Sequence, residues 1–239
     1  MDRKYYLIAV AGGSGTRMGS SIPKQFLEIR EKAILQRSLE KFINACPDIK
    51  IITVLPEAHI PYWKEYCLSR NFCYPQTLVK GGITRFHSVR NALAKVPDGA
   101  IVAIHDGVRP LLSVEMIQRM FASMESCRGL IPVVPTPDTL KALRQVKDGG
   151  TGTMVLEKID GVTLDRSQVF GAQTPQVFLS EDLKAAYSQA FDTAFTDDAS
   201  VAEKYGIALD WCLGERLNLK ITTPEDIVLA EAVIRNNLK

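Results

Sequence analysis

Short apolar runs alternate with amphipathic stretches along most of this chain, and this alternation constrains the fold more than any other feature. The runs typical of strands buried on both faces are YYLIAVA, KIITVLP, TLVKGG, AIVAIHDGVRP and GLIPVVP. The intervening stretches with apolar residues at helical spacing are AILQRSLEKFINA, PYWKEYCLSR, RFHSVRNALAKV and EMIQRMFASME. Strands that alternate with helices predict an α/β fold, with a mostly parallel sheet that carries helices on both faces.

The alternation stops between Thr136 and Gln176, where the pattern becomes that of strands separated by turn residues. We interpret residues 136–176 as a projecting antiparallel β-arm on a single domain that spans residues 1–239. Such an arm exposes apolar strand edges, so we expect it to pair with a second copy of the chain in a homodimer. The elements predicted after it are helices over 180–195 and 198–205, strands over 208–213 and 217–222, and a last helix with Thr223 as its N-cap.

Composition narrows the class of partner. The formal net charge is +2, which is too small for a general nucleic-acid or membrane binder. No run reaches the ~20 apolar residues that a membrane span requires, and the five cysteines are scattered without metal-ligand spacing. We therefore expect a cytoplasmic protein that binds neither nucleic acid nor membrane and keeps its thiols reduced.

Polar clusters follow three of the predicted strands: GGSGTR, GGITR and HDGVRP. In parallel sheets the ligand lies beyond the carboxyl ends of the strands, so these clusters predict one shared site.

The glycine-rich loop after the first strand predicts an anion site. Its consecutive backbone N–H groups carry no blocking Cβ and suit phosphate, although a simple tight turn would also use glycine. The loop matches neither the P-loop pattern nor the GxGxxG dinucleotide pattern. Arg17 lies within it and Lys24 lies just beyond, and two cations beside such a nest favour a polyphosphate.

The other two clusters add candidates for binding a base and a sugar phosphate. Gly82 and Ser88 are small positions that a nucleobase edge can approach closely. Asp106 can bind a divalent metal or a sugar hydroxyl, and Arg109 can bind a phosphate, although an ion pair between the two that closes the strand is the alternative. Lys220 stands in an otherwise apolar stretch, which favours an orientation into an anionic cleft.

Seven motifs, in this order, resemble the 2-C-methyl-D-erythritol 4-phosphate cytidylyltransferase family: AGGSGTRMGSSIPKQF, GGITRFHSV, HDGVRP, PDTLK, GAQTPQVF, TDDAS and LKITTPED. The resemblance covers nearly the whole chain. It implies a Rossmann-like nucleotidyltransferase fold, a homodimer with interlocked arms and a reaction that depends on Mg²⁺. In that reaction a phosphate oxygen of methylerythritol phosphate attacks the α-phosphorus of CTP, and pyrophosphate departs.

The resemblance also implies a role for each matching residue. Arg17 and Lys24 would stabilise the charge of the transition state, while Arg166 and Lys220 would aim the acceptor phosphate. The nucleotide-binding residues would be Ala11, Gly12, Gly13, Gly15, Gly82 and Ser88. The acceptor-binding residues would be Asp106, Gly107, Arg109, Thr139, Arg166, Thr174 and Lys220, with Thr139 and Arg166 supplied by the arm of the partner chain. Asp106 is in addition the candidate ligand of Mg²⁺.

Three other functions stay open at this point. A ribitol-5-phosphate cytidylyltransferase would share the glycine-rich loop and the TPQ motif, although PDTLK and TDDAS resemble the methylerythritol branch more closely. A non-catalytic nucleotide-binding protein is expected to lack Arg17, Lys24 or Lys220, and all three are present. Synthesis of a sugar nucleotide from another nucleoside triphosphate would be distinguished by the base that the protein prefers.

Overall fold

The computed structural model of the chain describes residues 3–13, 22–149 and 153–236. Its strands are β1 (Tyr5–Val10), β2 (Glu28–Ile29), β3 (Lys32–Ala33), β4 (Lys50–Leu55), β5 (Gln76–Lys80), β6 (Ile101–Asp106), β7 (Gly129–Pro135), β8 (Leu143–Lys147), β9 (Met154–Lys158), β10 (Phe170–Ala172), β11 (Gln176–Leu179) and β12 (Asp210–Leu213). Its α-helices are α1 (Ile34–Ala45), α2 (Ile60–Ser69), α3 (Arg85–Leu93), α4 (Val114–Ser123), α5 (Ser180–Ala186), α6 (Asp198–Tyr205) and α7 (Pro224–Arg235).

Most of these strands form one mixed sheet in the order β10-β7-β11-β6-β1-β4-β5, with β12 paired to β7. Strands β6, β1, β4 and β5 are parallel to one another, as the alternation of strands and helices predicts. Strand β11 enters antiparallel between β6 and β7. The predicted α/β fold with a mostly parallel sheet is confirmed.

Helices cover both faces of the sheet because successive residues of a strand face opposite sides. Leu7 of β1 packs in the core formed with α1 and α4, whereas its neighbour Ile8 packs in the core formed with α3, α5 and α6. A third core joins α7 to the start of α1 and to the segment before α7 through Ile34, Ile221 and Ala230. Full burial of a side chain the size of leucine stabilises the fold by about 1.5–3 kcal/mol, so both faces of the sheet contribute to stability.

The predicted arm is present in part. Strands β8 and β9 form a separate two-stranded antiparallel sheet whose residues are almost all exposed. The boundary at residue 176 is wrong, because β10 already pairs with β7 and β11 then pairs with β6. The alternating residues of FGAQTPQVF suit a strand of the main sheet as well as a strand of an arm. Gln173 and Gln176 are buried, so this stretch belongs to the body of the domain and not to the arm.

The helix predicted over residues 180–195 is too long. Helix α5 ends at Ala186, where the side-chain amide of Gln189 donates to the Ala186 carbonyl. Asp192 then accepts a hydrogen bond from the backbone of Ala194 at 2.9 Å and forms a turn. These side chains satisfy backbone groups that a longer helix would have used.

The strand predicted over residues 217–222 is also wrong. Its alternating apolar residues pack in the core beneath α7, but the segment crosses the carboxyl edge of the sheet without joining a ladder. The backbone N–H of Ile221 instead donates to Val108 at 2.9 Å. Helix α7 follows with the predicted cap, since the Thr223 hydroxyl and the Asp226 carboxylate form a capping box.

Helix α2 forms where the spacing of PYWKEYCLSR predicts a helix. Trp63 and Tyr66 form its buried face, whereas Tyr62 is 42 % exposed.

Candidate active site

A cavity of about 340 Å³ opens at the carboxyl edge of the sheet, where β1, β5 and β6 end. Its lining consists of Val10, Ala11, Gly12, Gly13, Lys24, Gln25, Gly82, Ile83, Thr84, Arg85, Ser88, Asp106, Val108 and Lys220. Eight of the predicted site residues therefore line one space: Ala11, Gly12, Gly13, Lys24, Gly82, Ser88, Asp106 and Lys220. The three polar clusters meet where a parallel sheet presents its ligand.

Lys24 is held in the cavity wall by the segment that follows the glycine-rich loop. It begins a short 3-10 helix after Pro23, whose extended backbone sets the entry to that turn. The amino group of Lys24 donates to the Ile221 carbonyl at 3.0 Å, and the neighbouring Gln25 amide donates to the Ala11 carbonyl at 2.8 Å. The side chain of Lys24 is thus fixed between the first strand and the segment before α7.

Asp106 is surrounded by cations at the end of β6. Lys220 Nζ lies 2.8 Å and Arg109 Nε lies 3.5 Å from Asp106 Oδ2, while Arg85 Nε lies 3.8 Å from Oδ1. Burial alone would raise the pKa of Asp106, but Arg85, Lys220 and Arg109 together lower the pKa well below its usual range. The carboxylate is therefore ionised at neutral pH.

Arg109 is not one of the lining residues, but it holds in place two parts of the cavity wall. The ion pair with Asp106, considered from the sequence as the alternative, is present at 3.5 Å. Arg109 Nη1 also donates to the Asn218 carbonyl at 2.8 Å. Arg109 therefore fastens the segment that carries Lys220 to the end of β6.

Thr174 lies behind Asp106 and is buried. Its hydroxyl oxygen accepts from the backbone N–H of Asp106 at 3.1 Å and lies 3.1 Å from His105 Nδ1. His105 Nε2 in turn lies 3.2 Å from the Arg109 carbonyl, which can only accept. The network is consistent with a neutral His105 that donates from Nε2, and burial lowers the pKa of His105 to about 4. His105 is therefore a structural residue that links Thr174 to the Arg109 carbonyl.

Gly82 and Ser88 shape the loop between β5 and α3. The Ser88 hydroxyl accepts from the Gly82 N–H at 3.0 Å and donates to the Thr84 carbonyl at 2.9 Å. A Cβ on Gly82 would lie 2.9 Å from the carbonyl carbon of His87 and closer still to the His87 Cβ. Glycine is required here because the loop passes tightly over the first turn of α3.

Gly107 is a second position where close packing excludes a side chain. A Cβ there would lie 2.7 Å from Leu35 Cδ1 and 3.2 Å from the Cβ of Ala11. Its carbonyl accepts from the Ser38 hydroxyl at 3.1 Å. Gly107 lets α1 approach the glycine-rich loop, and it is not among the lining residues.

The remaining predicted residues lie elsewhere. Thr139 and Arg166 are exposed at the base of the arm, where Arg166 Nη1 donates to the Pro137 carbonyl at 3.3 Å. Gly15 and Arg17 lie outside the described residues, so the structure does not bear on their predicted roles.

Two residues that the sequence motifs did not single out are Arg85, which lines the cavity, and Asp198. Asp197 is the N-cap of α6, and Asp198 instead forms two hydrogen bonds with Arg85 across the molecule. A cation that directly follows the GGIT turn at a strand end was the available signal for Arg85. Nothing local in the sequence pairs it with a carboxylate so far along the chain.

A mostly parallel α/β sheet with glycine amides and fixed cations at its carboxyl edge is typical of a nucleotidyltransferase, an enzyme that transfers a nucleotidyl group. Comparison with known families agrees: the model of the family described as "IspD: 2-C-methyl-D-erythritol 4-phosphate cytidylyltransferase" matches residues 5–236. This chain belongs to that family.

Individual relatives match over their full length. The 2-C-methyl-D-erythritol 4-phosphate cytidylyltransferase of Bacteroides thetaiotaomicron is 42% identical over 231 residues, which covers 97% of this chain and 100% of the relative. That of Porphyromonas gingivalis W83 is 40% identical, covering 98% and 99%.

Solved structures agree with the computed fold. The crystal structure of the Francisella tularensis 2-C-methyl-D-erythritol 4-phosphate cytidylyltransferase has a TM-score of 0.71 at 28% identity and covers 97% of this chain and 99% of its own. The 4-diphosphocytidyl-2C-methyl-D-erythritol synthase of Anaerococcus prevotii has a TM-score of 0.74 at 26% identity, covering 98% and 99%.

Among the helices of the described residues, none has the length and apolar character needed to cross a lipid bilayer.

Proposed function

We propose that this protein transfers the cytidylyl group of CTP to 2-C-methyl-D-erythritol 4-phosphate. The products are 4-diphosphocytidyl-2-C-methyl-D-erythritol and pyrophosphate, in a step of isoprenoid biosynthesis by the non-mevalonate pathway. The observation that carries the proposal is the single cavity lined by the glycine-rich loop, Lys24, the Gly82 loop, Asp106 and Lys220, in a chain that matches the family from residue 5 to 236.

The chemistry explains why such a cavity is rich in cations on a protein of net charge +2. A phosphate oxygen of the acceptor forms a bond to the α-phosphorus of CTP, and the bond from that phosphorus to the departing pyrophosphate oxygen breaks. The nucleophile is already an anion, so the reaction requires no strong general base. The main tasks are to bring two polyanions together in line and to stabilise the charge that moves onto pyrophosphate.

We assign these tasks to residues on different sides of the cavity. The backbone of Ala11, Gly12 and Gly13 would bind the triphosphate, together with Gly15 outside the described residues. Lys24 would stabilise the charge that develops during transfer, with Arg17 as the second cation. Lys220 would hold the acceptor phosphate, which its partial exposure and its position beside Asp106 support.

The Ser88 hydroxyl supports cytosine as the base. Its proton is directed at the Thr84 carbonyl, so a further hydrogen bond to Ser88 Oγ must come from a donor. Cytosine presents an amino group at the position where uracil presents a carbonyl oxygen. Ser88 would therefore favour CTP over UTP.

Mg²⁺ fits this donor set, with Asp106 as its protein ligand. Mg²⁺ is usually bound by one or two carboxylates together with substrate phosphates, and no group of three or more potential ligands occurs among the residues that the structure describes. Asp106 is ionised, and its Oδ1 lies beyond hydrogen-bond distance of Arg85. When bound, the ion would neutralise phosphate charge and orient the triphosphate.

We also propose that the arm completes the site of a second copy. Apolar side chains of β8 and β9 such as Leu143, Met154 and Leu156 are exposed, and their burial would favour a homodimer. Thr139 and Arg166 at the base of the arm would then contact the partner's acceptor phosphate. A cytoplasmic location is in keeping with five free cysteines.

Pyrophosphate release tests the proposal directly. The protein is incubated with Mg²⁺, CTP and either 2-C-methyl-D-erythritol 4-phosphate or ribitol 5-phosphate, and then with UTP, ATP or GTP in place of CTP. We expect turnover with CTP and the methylerythritol substrate. Preference for ribitol 5-phosphate would change the acceptor but keep the chemistry, whereas CTP binding without release of pyrophosphate from any acceptor would contradict enzymatic transfer.

A further inference from the structure

Arg85 connects two carboxylates that lie at different depths. Its Nη1 and Nη2 lie 3.0 and 2.6 Å from the two oxygens of Asp198, while its Nε lies 3.8 Å from Asp106 Oδ1. Arg85 lines the cavity, whereas the side chain of Asp198 is 0% exposed and is not among the lining residues. The guanidinium thus gives both of its terminal nitrogens to the buried carboxylate and only a distant contact to the one at the cavity.

Asp198 is itself fixed from behind. Tyr187 donates its hydroxyl proton to Asp198 Oδ1 at 2.6 Å. Burial raises the pKa of Tyr187, and the charge of Asp198 raises it further, so the phenol remains a donor. The Tyr187 ring stacks on Phe86 at 4.7 Å between ring centroids, next to Arg85 in sequence.

The charge balance keeps Arg85 in this arrangement. A buried carboxylate without a cationic partner strongly destabilises a fold, so Asp198, whose side chain is fully buried, binds the guanidinium strongly. Burial alone would lower the pKa of Arg85, but Asp198 and then Asp106 raise the net value above its usual range. Arg85 is therefore always charged and is bound by its fork on the side away from the cavity.

We propose that Asp198 is a positioning residue for cytidylyl transfer, which keeps the Arg85 fork away from Asp106 so that Lys220 remains the close partner of Asp106. The inference rests on the proposed function and adds a residue that the substrates do not touch. Without the charge on Asp198, Arg85 would turn its fork towards Asp106, because a bidentate guanidinium–carboxylate pair is stronger than an ammonium–carboxylate pair. Lys220 would then lose its partner and the orientation that the acceptor phosphate needs.

The variant Asp198→Asn removes the charge and preserves the size of the side chain. We expect its kcat to fall by about tenfold or more, with a smaller change in the CTP dissociation constant measured by calorimetry. We also expect Lys220 to react faster with an acetylating reagent, by about threefold or more, because its amino group is no longer held by Asp106. Lys32 is the internal standard for labelling, since it pairs with Glu40 at 2.9 Å and its side chain is 45% exposed against 43% for Lys220.

The chain offers a matched control for the loss of an Arg–Asp pair. Asp182 also binds an arginine through both oxygens, in this case Arg128, and neither residue lines the cavity. Asp182→Asn is expected to lower the melting temperature while kcat and Lys220 labelling stay at wild-type values.

The outcomes separate this inference from the proposed function. If the wild-type protein releases no pyrophosphate, the proposed function fails, and the comparison of Lys220 labelling still decides the role of Asp198. Folded Asp198→Asn protein with wild-type kcat and labelling would overturn the inference, as would equal effects in Asp182→Asn. If Asp198→Asn does not fold, Asp198→Ser replaces it, because it also removes the charge that binds the Arg85 fork. Slower turnover with faster Lys220 labelling supports the inference, and no change in either overturns it.

Discussion

Lys220 Nζ lies 2.8 Å from Asp106 Oδ2, and this pair joins a segment that forms no strand to the last residue of β6. Because Arg109 also holds this segment through the Asn218 carbonyl, Lys220 has a defined position despite its loop setting. The cavity therefore has one cationic wall from the glycine-rich side, with Lys24, and another from the segment before α7.

Replacing Lys24 by alanine should lower turnover much more than nucleotide affinity. Its amino group is buried and aimed by the Ile221 carbonyl, so it suits charge that appears only during transfer. We expect kcat to fall by about a hundredfold, or about 3 kcal/mol in the barrier, by analogy with the loss of an oxyanion donor. Steady-state kinetics and CTP calorimetry measure the two effects, and Lys32→Ala is the control. Equal losses in kcat and CTP affinity would mean that Lys24 only anchors the nucleotide.

Replacing Gly82 by alanine should weaken CTP binding while the protein stays folded. The added Cβ would contact His87 backbone at 2.9 Å, so the loop must shift and break the Gly82–Ser88 hydrogen bond. We expect the CTP dissociation constant to rise by about tenfold, which corresponds to about 1.4 kcal/mol. In the arm, Gly149→Ala meets no atom within 4 Å and is the control. Unchanged CTP affinity in Gly82→Ala would place the base elsewhere.

Stability should fall between about pH 7 and about pH 5 because of His105. Burial lowers the pKa of His105 to about 4 in the folded protein. Between this value and about 6.5, the unfolded chain therefore binds a proton at His105 that the folded protein does not bind. Its contribution is therefore present above the unfolded pKa near 6.5, is lost as the pH falls below that value, and stops changing below about 4. Between pH 7 and pH 5 the free energy of unfolding therefore falls by about 2 kcal/mol.

Urea unfolding at the two pH values measures this loss. In His105→Gln the difference between the two pH values should shrink by that amount, although the variant is less stable at both. A wild-type difference in His105→Gln would show that another group titrates.

Mixing two impaired variants, at an acceptor concentration below the raised KM, tests whether the arm completes the partner's site. Arg166→Ala is expected to raise KM for the acceptor phosphate, since Arg166 is exposed at the base of the arm. In an equal mixture with Lys24→Ala, half of the dimers would be mixed, and each would hold one intact site of two, which restores about a quarter of wild-type activity. Activity equal to the average of the two separate variants, after exchange of subunits has been verified, would contradict a shared site.

The fold was predictable because its central strands carry their own signal. A run such as YYLIAV is apolar throughout, since Leu7 and Ile8 face different cores, and a glycine marks the point where the run ends. The ends of the apolar runs also revealed three polar clusters. Because ligands lie at the carboxyl edges of parallel sheets, this was enough to group Lys24, Gly82 and Asp106 in one cavity.

Two of the wrong predictions, those for residues 170–176 and 217–222, share one physical cause: a local pattern does not identify the partner of a segment. Residues 217–222 alternate as a strand does, yet their apolar side chains belong to the core under α7. Residues 170–176 have the pattern of an arm and lie in the main sheet. The pairing of Arg85 with Asp198 depends on how α3 and α6 meet, and no spacing within the chain contains that information.

The β8–β9 hairpin makes its own ladder, and below it β10 returns to pair with β7. The projecting part of the chain is therefore attached through one two-stranded connection, and its two sides, β7 and β10, are hydrogen-bonded to each other where they leave the main sheet. Nature or an engineer can trim, extend or exchange the hairpin tip without altering the register of any strand that carries the cavity. Under the proposed pairing of the arm with a second copy, a change in the hairpin would alter the choice of partner subunit and leave the cavity unchanged.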